Sequence, residues 1–291
     1  MLLFVYGTLC RGLLRNDVLK ESKYLGLALC NGVLKDVGSF PALINSDEEI
    51  IGEVYRIDAD TVLPILDQIE GYSKNDENGS LYLRRKLSVR LLSTGKWVDS
   101  IAYIYNRDAE DLKTIPNGDY RQYLLDQKGE TIYYLAYGSN LSTSRMKQRI
   151  GSWKRAVKGY LADYRLTFNK RPSKGGRFAF ANIAAGVEGN DCPCVAYEIK
   201  RKCLLKLDRL EGYPLHYIRT VIPMVFEAGQ ELMGYIYIAN PNQLVLNRIA
   251  SDKYRKHIVQ GYDDHKLGQL SIPNGADTWR SQMKNTSVQK K

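Results

Sequence analysis

Two glutamates, Glu70 and Glu211, are the residues of this chain best placed to do chemistry. Each follows a stretch with helical spacing of apolar residues and is itself followed by Gly-Tyr. Each also stands four residues beyond a leucine, which puts its carboxylate on or near the apolar face of the helix. A glutamate at a helix C-terminus usually points to solvent, because the inward position is costly. The same unfavourable placement occurs twice, which favours a functional carboxylate with a raised pKa.

A glycine loop lies upstream of each glutamate. The first loop reads Tyr6-Gly7-Thr8-Leu9, and the second reads Tyr137-Gly138-Ser139-Asn140-Leu141. Glycine allows the backbone to approach a ligand closely, and successive N–H groups in such a turn suit a carboxylate. Taken alone, Tyr-Gly-Ser or Tyr-Gly-Thr more often marks an ordinary turn. The prediction of a site therefore depends on the loop and the glutamate together.

The loop and the glutamate recur in the same order along the chain. They are 64 residues apart in the first copy (Tyr6 to Glu70) and 74 apart in the second (Tyr137 to Glu211). A third motif, Ile-Pro-Asn-Gly, occurs at 115–118 and again at 272–275. Motifs repeated in order predict a tandem duplication. We assign the domains to residues 1–128 and 129–282 and expect a disordered polar tail at 283–291.

Both copies have the pattern of short strands with one or two helices. Helices are predicted at 61–69, with Asp60 or Thr61 as N-cap and Gly71 as stop, at 202–210, and at 251–265 in the second copy only. Strands are predicted at 2–5, 52–57, 82–92 and 100–105, and then at 133–136, 194–199, 217–225 and 232–238.

The net charge of +10 is shared unevenly between the two halves. Residues 1–128 carry 16 basic and 19 acidic side chains, and the remainder carries 26 and 13. Such asymmetry can indicate a polyanion partner, but no nucleic-acid-binding module is recognisable. A solvated basic surface that steers small anionic substrates is the favoured interpretation.

The five cysteines do not have the spacing of a disulfide framework. Cys192-Pro193-Cys194 resembles a metal or redox pair, but no second pair or histidine cluster accompanies it, so we predict no metal. No apolar run is long enough to span a membrane, and residues 1–5 are too short for a signal-peptide core. We expect a cytoplasmic protein without a membrane partner.

The combination of Tyr-Gly-(Thr/Ser) with Leu-Asp-x-x-Glu-Gly resembles the γ-glutamylcyclotransferase superfamily. The first half is similar to its γ-glutamylamine cyclotransferase branch through the segments at 4–9, 11–12, 40–43 and 52–55 and through Asn16. The second half is similar to the γ-glutamylcyclotransferase branch proper through the segments at 137–141, 164–169 and 181–183.

The resemblance implies an α+β fold with two tandem domains, each a small mixed β-barrel with flanking helices. It implies a cofactor-independent enzyme that releases 5-oxoproline and an amine from a small γ-glutamyl substrate. Glu70 and Glu211 would act as general base and then as general acid, and the loop residues would hold the substrate. Four tyrosines would complete the pockets, with packing in the core as an equal alternative for each: Tyr82, Tyr120, Tyr217 and Tyr254.

Several alternatives remain open on the sequence alone. One domain could be active and the other a degenerate scaffold, since the first copy lacks the helix predicted at 251–265. The chain could instead bind γ-glutamyl or other carboxylate ligands without turnover. A basic loop at 170–177 (Lys170, Arg171, Lys174 and Arg177) could receive an anionic substrate tail, but a solvated turn is favoured. The released amine and the oligomeric state are not fixed by the sequence.

Overall fold

The computed structural model describes residues 1–173, 175–185, 190–246 and 248–268. Within these ranges the chain folds into two closed five-stranded barrels with flanking helices, which confirms the predicted α+β architecture of two tandem domains. The predicted boundary at 128/129 falls in an exposed segment between the barrels. Three sequence-based assignments lie outside the described residues: the second copy of the third motif (272–277), the tail (283–291) and Lys174.

The first barrel is built from five strands, and two α-helices accompany it. They are β1 (Leu2–Val5), β2 (Lys23–Asp36), β3 (Pro41–Arg56), α1 (Ala59–Glu70), β4 (Tyr82–Leu91), β5 (Trp97–Tyr105) and α2 (Tyr120–Asp126). The strands follow the circular order β1-β3-β2-β4-β5. The ring closes where Leu3 of β1 pairs in parallel with Ile101 of β5.

The second barrel repeats this arrangement with additional elements. Its members are β6 (Thr131–Ala136), α3 (Thr143–Ile150), β7 (Ala156–Ala162), β8 (Tyr164–Lys170), β9 (Phe180–Ala185), β10 (Asp191–Lys200), α4 (Cys203–Glu211), β11 (Tyr217–Val225), β12 (Glu231–Ala239) and α5 (Asp252–His265). The circular order β6-β10-β7-β11-β12 matches that of the first barrel, strand for strand. The outer part of the β2–β3 hairpin corresponds to a separate two-stranded sheet, β8–β9.

The helices that carry the glutamates end in the same way. Gly71 after α1 and Gly212 after α4 adopt left-handed conformations, with φ of 61° and 67°. Glycine is favoured at this position because it has no Cβ to clash with the backbone. In each copy the following tyrosine donates its N–H to the carbonyl of the motif aspartate, Asp67 or Asp208. Each motif glutamate is therefore the last residue of a firmly terminated helix.

The structure extends and corrects the predicted elements. The helices expected at 61–69, 202–210 and 251–265 are present, within two residues at each end. The predicted N-cap of the first is wrong: the Asp58 carboxylate accepts the N–H of Asp60 at 3.3 Å. Helices α2 and α3 and most of the β2–β3 hairpin were not predicted. In that hairpin, register shifts next to Gly26 and Gly32 interrupt the period-two alternation that indicates a strand.

The two barrels share a continuous buried core. The hydroxyl groups of Tyr24 and Tyr164, one from each half, lie 2.7 Å apart. Thr220 of the second barrel donates its hydroxyl to the Asp119 carboxylate at 2.6 Å, and both side chains are buried. Because a buried polar group without a partner is costly, these bonds tie the halves into one structural unit.

No helix among the described residues is long and apolar enough to cross a lipid bilayer. The longest of them, α5, has 14 residues.

Candidate active sites

A cavity of about 70 Å³ opens at one end of the first barrel. The glycine loop after β1 forms one wall and the end of α1 forms another. Its lining comprises Phe4, Val5, Tyr6, Gly7, Thr8, Leu9, Arg15, Phe40, Pro41, Ile69, Glu70, Leu81, Tyr82 and Tyr103. The fold thus brings the two sequence motifs, 64 residues apart, into one pocket.

The Glu70 carboxylate is a titratable group of this cavity whose pKa lies near neutrality. Burial raises its pKa from 4.5 to about 7, and the nearby Arg15 guanidinium opposes that shift. Within the described part of the chain, neither a hydrogen-bond donor nor an ion-pair partner contacts this carboxylate. A carboxylate that is desolvated and unpaired is suited to take up a proton near neutral pH.

The glycine loop lines the cavity and has backbone N–H groups without an acceptor. The carbonyls of Gly7 and Thr8 accept bonds from the backbone of Cys10 and Arg15. The amides of Gly7, Thr8 and Leu9, in contrast, have no acceptor among the described residues. A Cβ on Gly7 would lie 2.9 Å from Cγ of Pro41, so only glycine fits against this wall. Three successive free donors form a concavity that suits a carboxylate.

A hydrogen-bonded set of side chains holds α1 and the loop in place. Tyr6 donates to the carbonyl of Tyr103 at 2.5 Å, and Tyr82 donates to the carbonyl of Pro41 at 2.9 Å. The Tyr103 hydroxyl donates to Asp67 at 2.6 Å. Arg84 binds the other Asp67 oxygen at 2.7 Å. Asp67 of the Leu-Asp-x-x-Glu-Gly motif therefore positions the helix that ends in the glutamate.

A buried ion pair supports the first loop from behind. Glu53 on β3 contacts Arg121 on α2, and both side chains are almost fully buried. Glu53 also accepts the N–H of Arg11 and the hydroxyl of Tyr55, both at 2.9 Å. The Arg11 guanidinium continues into the second barrel and donates to the carbonyl of Ala162 at 3.1 Å. The loop of the first cavity is thus anchored to both domains.

The equivalent cavity of the second barrel is smaller, about 30 Å³. Its lining is Tyr134, Tyr137, Gly138, Ser139, Asn140, Ala181, Glu211, Tyr217, Tyr237 and Tyr254. The loop repeats one bond of the first, because the Gly138 carbonyl accepts the N–H of the residue three positions on, Leu141; the Ser139 carbonyl accepts the N–H of Ser142. In the described chain the amides of Gly138, Ser139 and Asn140 lack acceptors.

The same anchors recur around the second cavity. Tyr137 donates to the carbonyl of Tyr237 at 2.6 Å, and Tyr217 donates to that of Ala181 at 2.8 Å. Tyr237 in turn donates to Asp208 at 2.7 Å, and Arg219 forms an ion pair with Asp208. Tyr82 and Tyr217, each of which donates to a backbone carbonyl beside its cavity, accordingly occupy equivalent places.

The two glutamates differ sharply in their partners. Glu211 forms an ion pair with Arg149 of α3 and accepts a bond from the Asn140 amide at 3.0 Å. Both contacts use the same carboxylate oxygen, Oε1, and no donor among the described residues reaches Oε2. Glu70 has neither contact, because Leu9 stands in the first loop where the second has Asn140, and the first half has only a 3-10 helix, Asn16–Leu19, between β1 and β2.

Helix α5 closes the second cavity and has no counterpart in the first. The Tyr254 hydroxyl at its start accepts the N–H of Ala181 at 3.2 Å. Gly261 packs so closely on the loop that a Cβ there would lie 2.2 Å from the Leu141 Cβ. In the first barrel Tyr120 lies outside the cavity lining, and its hydroxyl is 3.3 Å from the carbonyl of Ser39.

Not every residue of the predicted loops faces a cavity. Leu141 lies behind the second loop, where its carbonyl accepts a bond from Tyr197 at 3.0 Å. The other predicted residues of each copy, apart from Tyr120, line their cavities together. Three lining or supporting residues had no distinguishing sequence signal: Arg15, Tyr134 and Arg149. The aspartates Asp67 and Asp208 did have one, because they stand inside the repeated motif.

The basic loop is not uniformly solvated. Lys170 is buried, with Nζ 3.1 Å from Nδ1 of His216 and above the rings of Phe180 and Tyr217. Burial lowers the pKa of Lys170 from 10.5 to about 8. The expectation of a solvated turn is therefore wrong for Lys170, although Arg171 and Arg177 are exposed. Within the described residues no cluster of three or more potential ligands could hold a metal ion.

Comparison with known proteins gives matches over both halves. A model of the family described as "Gamma-glutamyl cyclotransferase, AIG2-like" matches residues 3–122 and 134–256. The gamma-glutamylcyclotransferase of Bos taurus is 28% identical over 147 residues, which are 50% of this chain and 77% of that protein. The Mus musculus protein of the same name is 27% identical over 146 residues, 49% of this chain and 76% of its own length. The crystal structure of YkqA from Bacillus subtilis, 22% identical, covers 97% of both chains with a TM-score of 0.66 and shows the same fold.

Proposed function

This chain belongs to the gamma-glutamyl cyclotransferase, AIG2-like family, and on that premise we propose that it releases 5-oxoproline and an amine from small γ-glutamyl compounds. The reaction is an intramolecular aminolysis. The free α-amine of the γ-glutamyl group attacks its own γ-carbonyl, a C–N bond closes the five-membered ring, and the original amide C–N bond breaks. The α-ammonium loses two protons in becoming the ring N–H, one before the attack and one after it, and the leaving nitrogen gains two and departs as an ammonium, so the step is balanced without a co-reactant or cofactor.

The observation that carries this proposal is the Glu70 carboxylate. It is desolvated, unpaired within the described chain, has a pKa of about 7, and faces a loop with three free N–H groups. A base of that strength can take the proton of an α-ammonium near neutral pH and return it to the departing amine. The loop amides then hold the α-carboxylate, which fixes the amine next to both the carboxylate and the γ-carbonyl.

In the second site Glu211 performs the same steps through Oε2. Arg149 and Asn140 hold the other oxygen and so fix the orientation of the carboxylate. The smaller cavity and the covering helix α5 restrict this site to more compact substrates than the first accepts. The two sites therefore share a reaction and differ in the amine that they release.

The test is 5-oxoproline release, followed by chromatography and mass detection, from γ-glutamyl-amino acids, γ-glutamylamines and glutathione. Wild type, Glu70→Gln, Glu211→Gln and the double variant are compared, with Glu21→Gln as a control at an exposed position. We expect each single substitution to abolish turnover of a different subset of substrates, by a factor of roughly 10² or more. Turnover that persists in the double variant contradicts the assignment of both bases.

A second candidate function concerns the second domain only. Because Arg149 and Asn140 already bind the Glu211 carboxylate, this site could bind a γ-glutamyl compound without converting it. In that case Glu70→Gln alone removes all 5-oxoproline formation, while calorimetry still detects ligand binding that Glu211→Gln weakens. Loss of a substrate subset in Glu211→Gln excludes this candidate.

A further inference from the structure

Helix α2 belongs to the first domain, but the two aspartates at its ends bind to the second barrel. Asp119, its N-cap, accepts the hydroxyl of Thr220 on β11 at 2.6 Å. Asp126, its last residue, accepts the hydroxyl of Tyr235 on β12 and forms an ion pair with Arg201. The lining of the first cavity, as far as the structure describes it, contains no residue of α2. The helix is therefore attached at both ends to a domain of which it is not part.

The two hydroxyl bonds reach β11 and β12 beside the residues that hold the second site together. These strands pair with Arg219 opposite Tyr237, and Thr220 is the next residue along β11. Tyr235 lies two residues from Tyr237, on the same side of β12, and its ring centroid is 5.8 Å from the Arg219 guanidinium. Arg219 and Tyr237 are the side chains that bind Asp208. A shift of these strands would therefore move the anchor of α4 and of the glutamate at its end.

The Asp119 carboxylate is buried and depends on its hydrogen bonds. Burial raises its pKa, while the Arg121 guanidinium, the Thr220 hydroxyl and the N–H groups of Gln122 and Val221 oppose that shift. Thr220 and Val221 both belong to β11. A buried carboxylate that loses a donor is destabilised, so these bonds define the position of β11 against α2 closely.

The first barrel has no such support at the corresponding positions. There the paired residues that hold the motif aspartate are Arg84 and Tyr103. Counted along the strands from this pair, the two hydroxyl-bearing positions of the second barrel are occupied by Arg85 and Ile101. Arg85 forms an ion pair with Glu77 of its own domain at 2.7 Å, and isoleucine has no hydroxyl to donate. The hydroxyls thus occur in the copy that α2 contacts, which indicates that the support serves the second site.

We propose that Asp119 and Asp126 of the first domain are positioning residues of the second active site. They hold β11 and β12 where Arg219 and Tyr237 can fix α4, and through α4 the Glu211 carboxylate. The inference rests on the proposed function for the reaction that Glu211 performs. It does not require turnover at the first site.

The test compares the two sites of the same protein by 5-oxoproline release. Glu70→Gln protein reports the second site, and Glu211→Gln protein reports the first. In the former, Asp119→Asn should lower kcat about tenfold and change KM less than twofold, because it disturbs an orientation and not the cavity lining. In the latter it should change kcat less than twofold, because asparagine still caps α2 and Arg121 keeps Glu53 as its partner.

Thr220→Val tests the same bond from its other end. Valine has nearly the same shape and no hydroxyl, so the second-site kcat should fall by a similar factor. The double variant with Asp119→Asn should lose no more than either single variant, because both remove one interaction. Thr220→Ser keeps the hydroxyl and should retain most of the activity. Asp111→Asn, at an exposed position of the first domain, is the matched control for the lost charge and should leave both sites unchanged.

The second bond and the position of α4 can be measured separately. Tyr235→Phe removes the hydroxyl that Asp126 accepts and keeps the ring beside Arg219, so it should lower the second-site kcat several-fold. Hydrogen exchange needs no turnover. Asp119→Asn should accelerate the exchange of the amides at 207–212, at the end of α4, about threefold or more and leave those at 66–71, at the end of α1, unchanged.

Equal losses of kcat at both sites indicate a general structural role for Asp119 and overturn the proposal. So does an unaltered second-site kcat in both Asp119→Asn and Thr220→Val. If Glu70→Gln protein forms no 5-oxoproline, the reaction assigned to Glu211 fails, and hydrogen exchange then decides the inference. Faster exchange confined to α4 supports the positioning role, and equal exchange rates before and after the substitution overturn it.

Discussion

Replacing Glu70 with glutamine should stabilise the protein while it abolishes turnover at the first site. Burial raises the pKa of this carboxyl from 4.5 to about 7. Between those pH values the folded protein keeps a proton that the unfolded chain releases. The free energy of unfolding therefore falls as the pH rises through this window, and the ionised carboxylate is the destabilising form above it.

The size of this stabilisation follows from the shift in the pKa of Glu70. A change of about 2.5 pH units between the two states, at about 1.36 kcal/mol per unit, amounts to about 3 kcal/mol. Glutamine cannot ionise and resembles the protonated acid in shape and hydrogen bonding. At pH 8 Glu70→Gln should therefore be more stable than wild type by about 3 kcal/mol, or roughly 6 °C in Tm. Near pH 4.5 the difference should vanish.

Glu211→Gln provides a matched comparison, for which the expected change in the free energy of unfolding has the opposite sign. The Glu211 carboxylate pairs with Arg149 and accepts the Asn140 amide, and both ionic side chains are mostly buried. Removing the charge leaves the guanidinium without its counter-ion, which costs about 1–2 kcal/mol. Denaturant unfolding at pH 5, 6, 7 and 8 would measure both variants, with the exposed Glu21→Gln as the neutral control.

The reasoning is refuted by either of two results. One is a loss of stability in Glu70→Gln at pH 8, which would show that the carboxylate has a stabilising partner. The other is a gain that does not depend on pH, because burial of an ionisable group predicts a gain confined to pH values above its ordinary pKa.

Three further outcomes are expected. With the second-site glutamate replaced by glutamine, kcat/KM for 5-oxoproline release should rise with pH and level off above about 7, because Glu70 must be ionised to act as base; a flat profile down to pH 5 contradicts this. Asp67→Asn should lower kcat about tenfold, because it weakens the hydrogen bonds from Tyr103 and Arg84 that anchor α1, and it should leave the far-UV circular dichroism unchanged. Asp47→Asn, at an exposed position, should leave kcat unchanged. Gly7→Ala should raise KM several-fold, because the added Cβ must displace the Pro41 ring; an unaltered KM would show that the loop does not bind substrate.

The sequence was sufficient to predict the parts of the fold that are specified locally. Helix α1 was predicted because Val62, Ile65, Leu66 and Ile69 recur at helical spacing and Gly71 is a typical helix stop, which the structure shows in a left-handed conformation. The strand pattern of β2 was obscured, because bulges beside Gly26 and Gly32 change which face each residue occupies. Helix α3 was missed because it is short and mostly polar, with only Met146 and Ile150 buried.

Part of each candidate site could be predicted from the sequence, and part could not. The glutamates and glycine loops were predicted from their repetition, and the structure brings them together in each half. The contrast between Glu70 and Glu211 could not be predicted, because it depends on Arg149, which is 62 residues away in the chain. The burial of Lys170 could not be predicted either, because it depends on His216 and on two aromatic rings that come from other parts of the chain.

The buried bond between Asp119 and Thr220 has a consequence for how the chain behaves when it is cut. The Arg201 guanidinium also donates hydrogen bonds to the connecting segment, at the carbonyls of Leu125, Lys128 and Gly129. A nick in the exposed stretch at 127–130 would break the covalent link between the halves and leave the buried Asp119–Thr220 bond and the shared core intact. The halves would then behave as the two subunits of a heterodimer, held by a shared core rather than by the peptide bond between them.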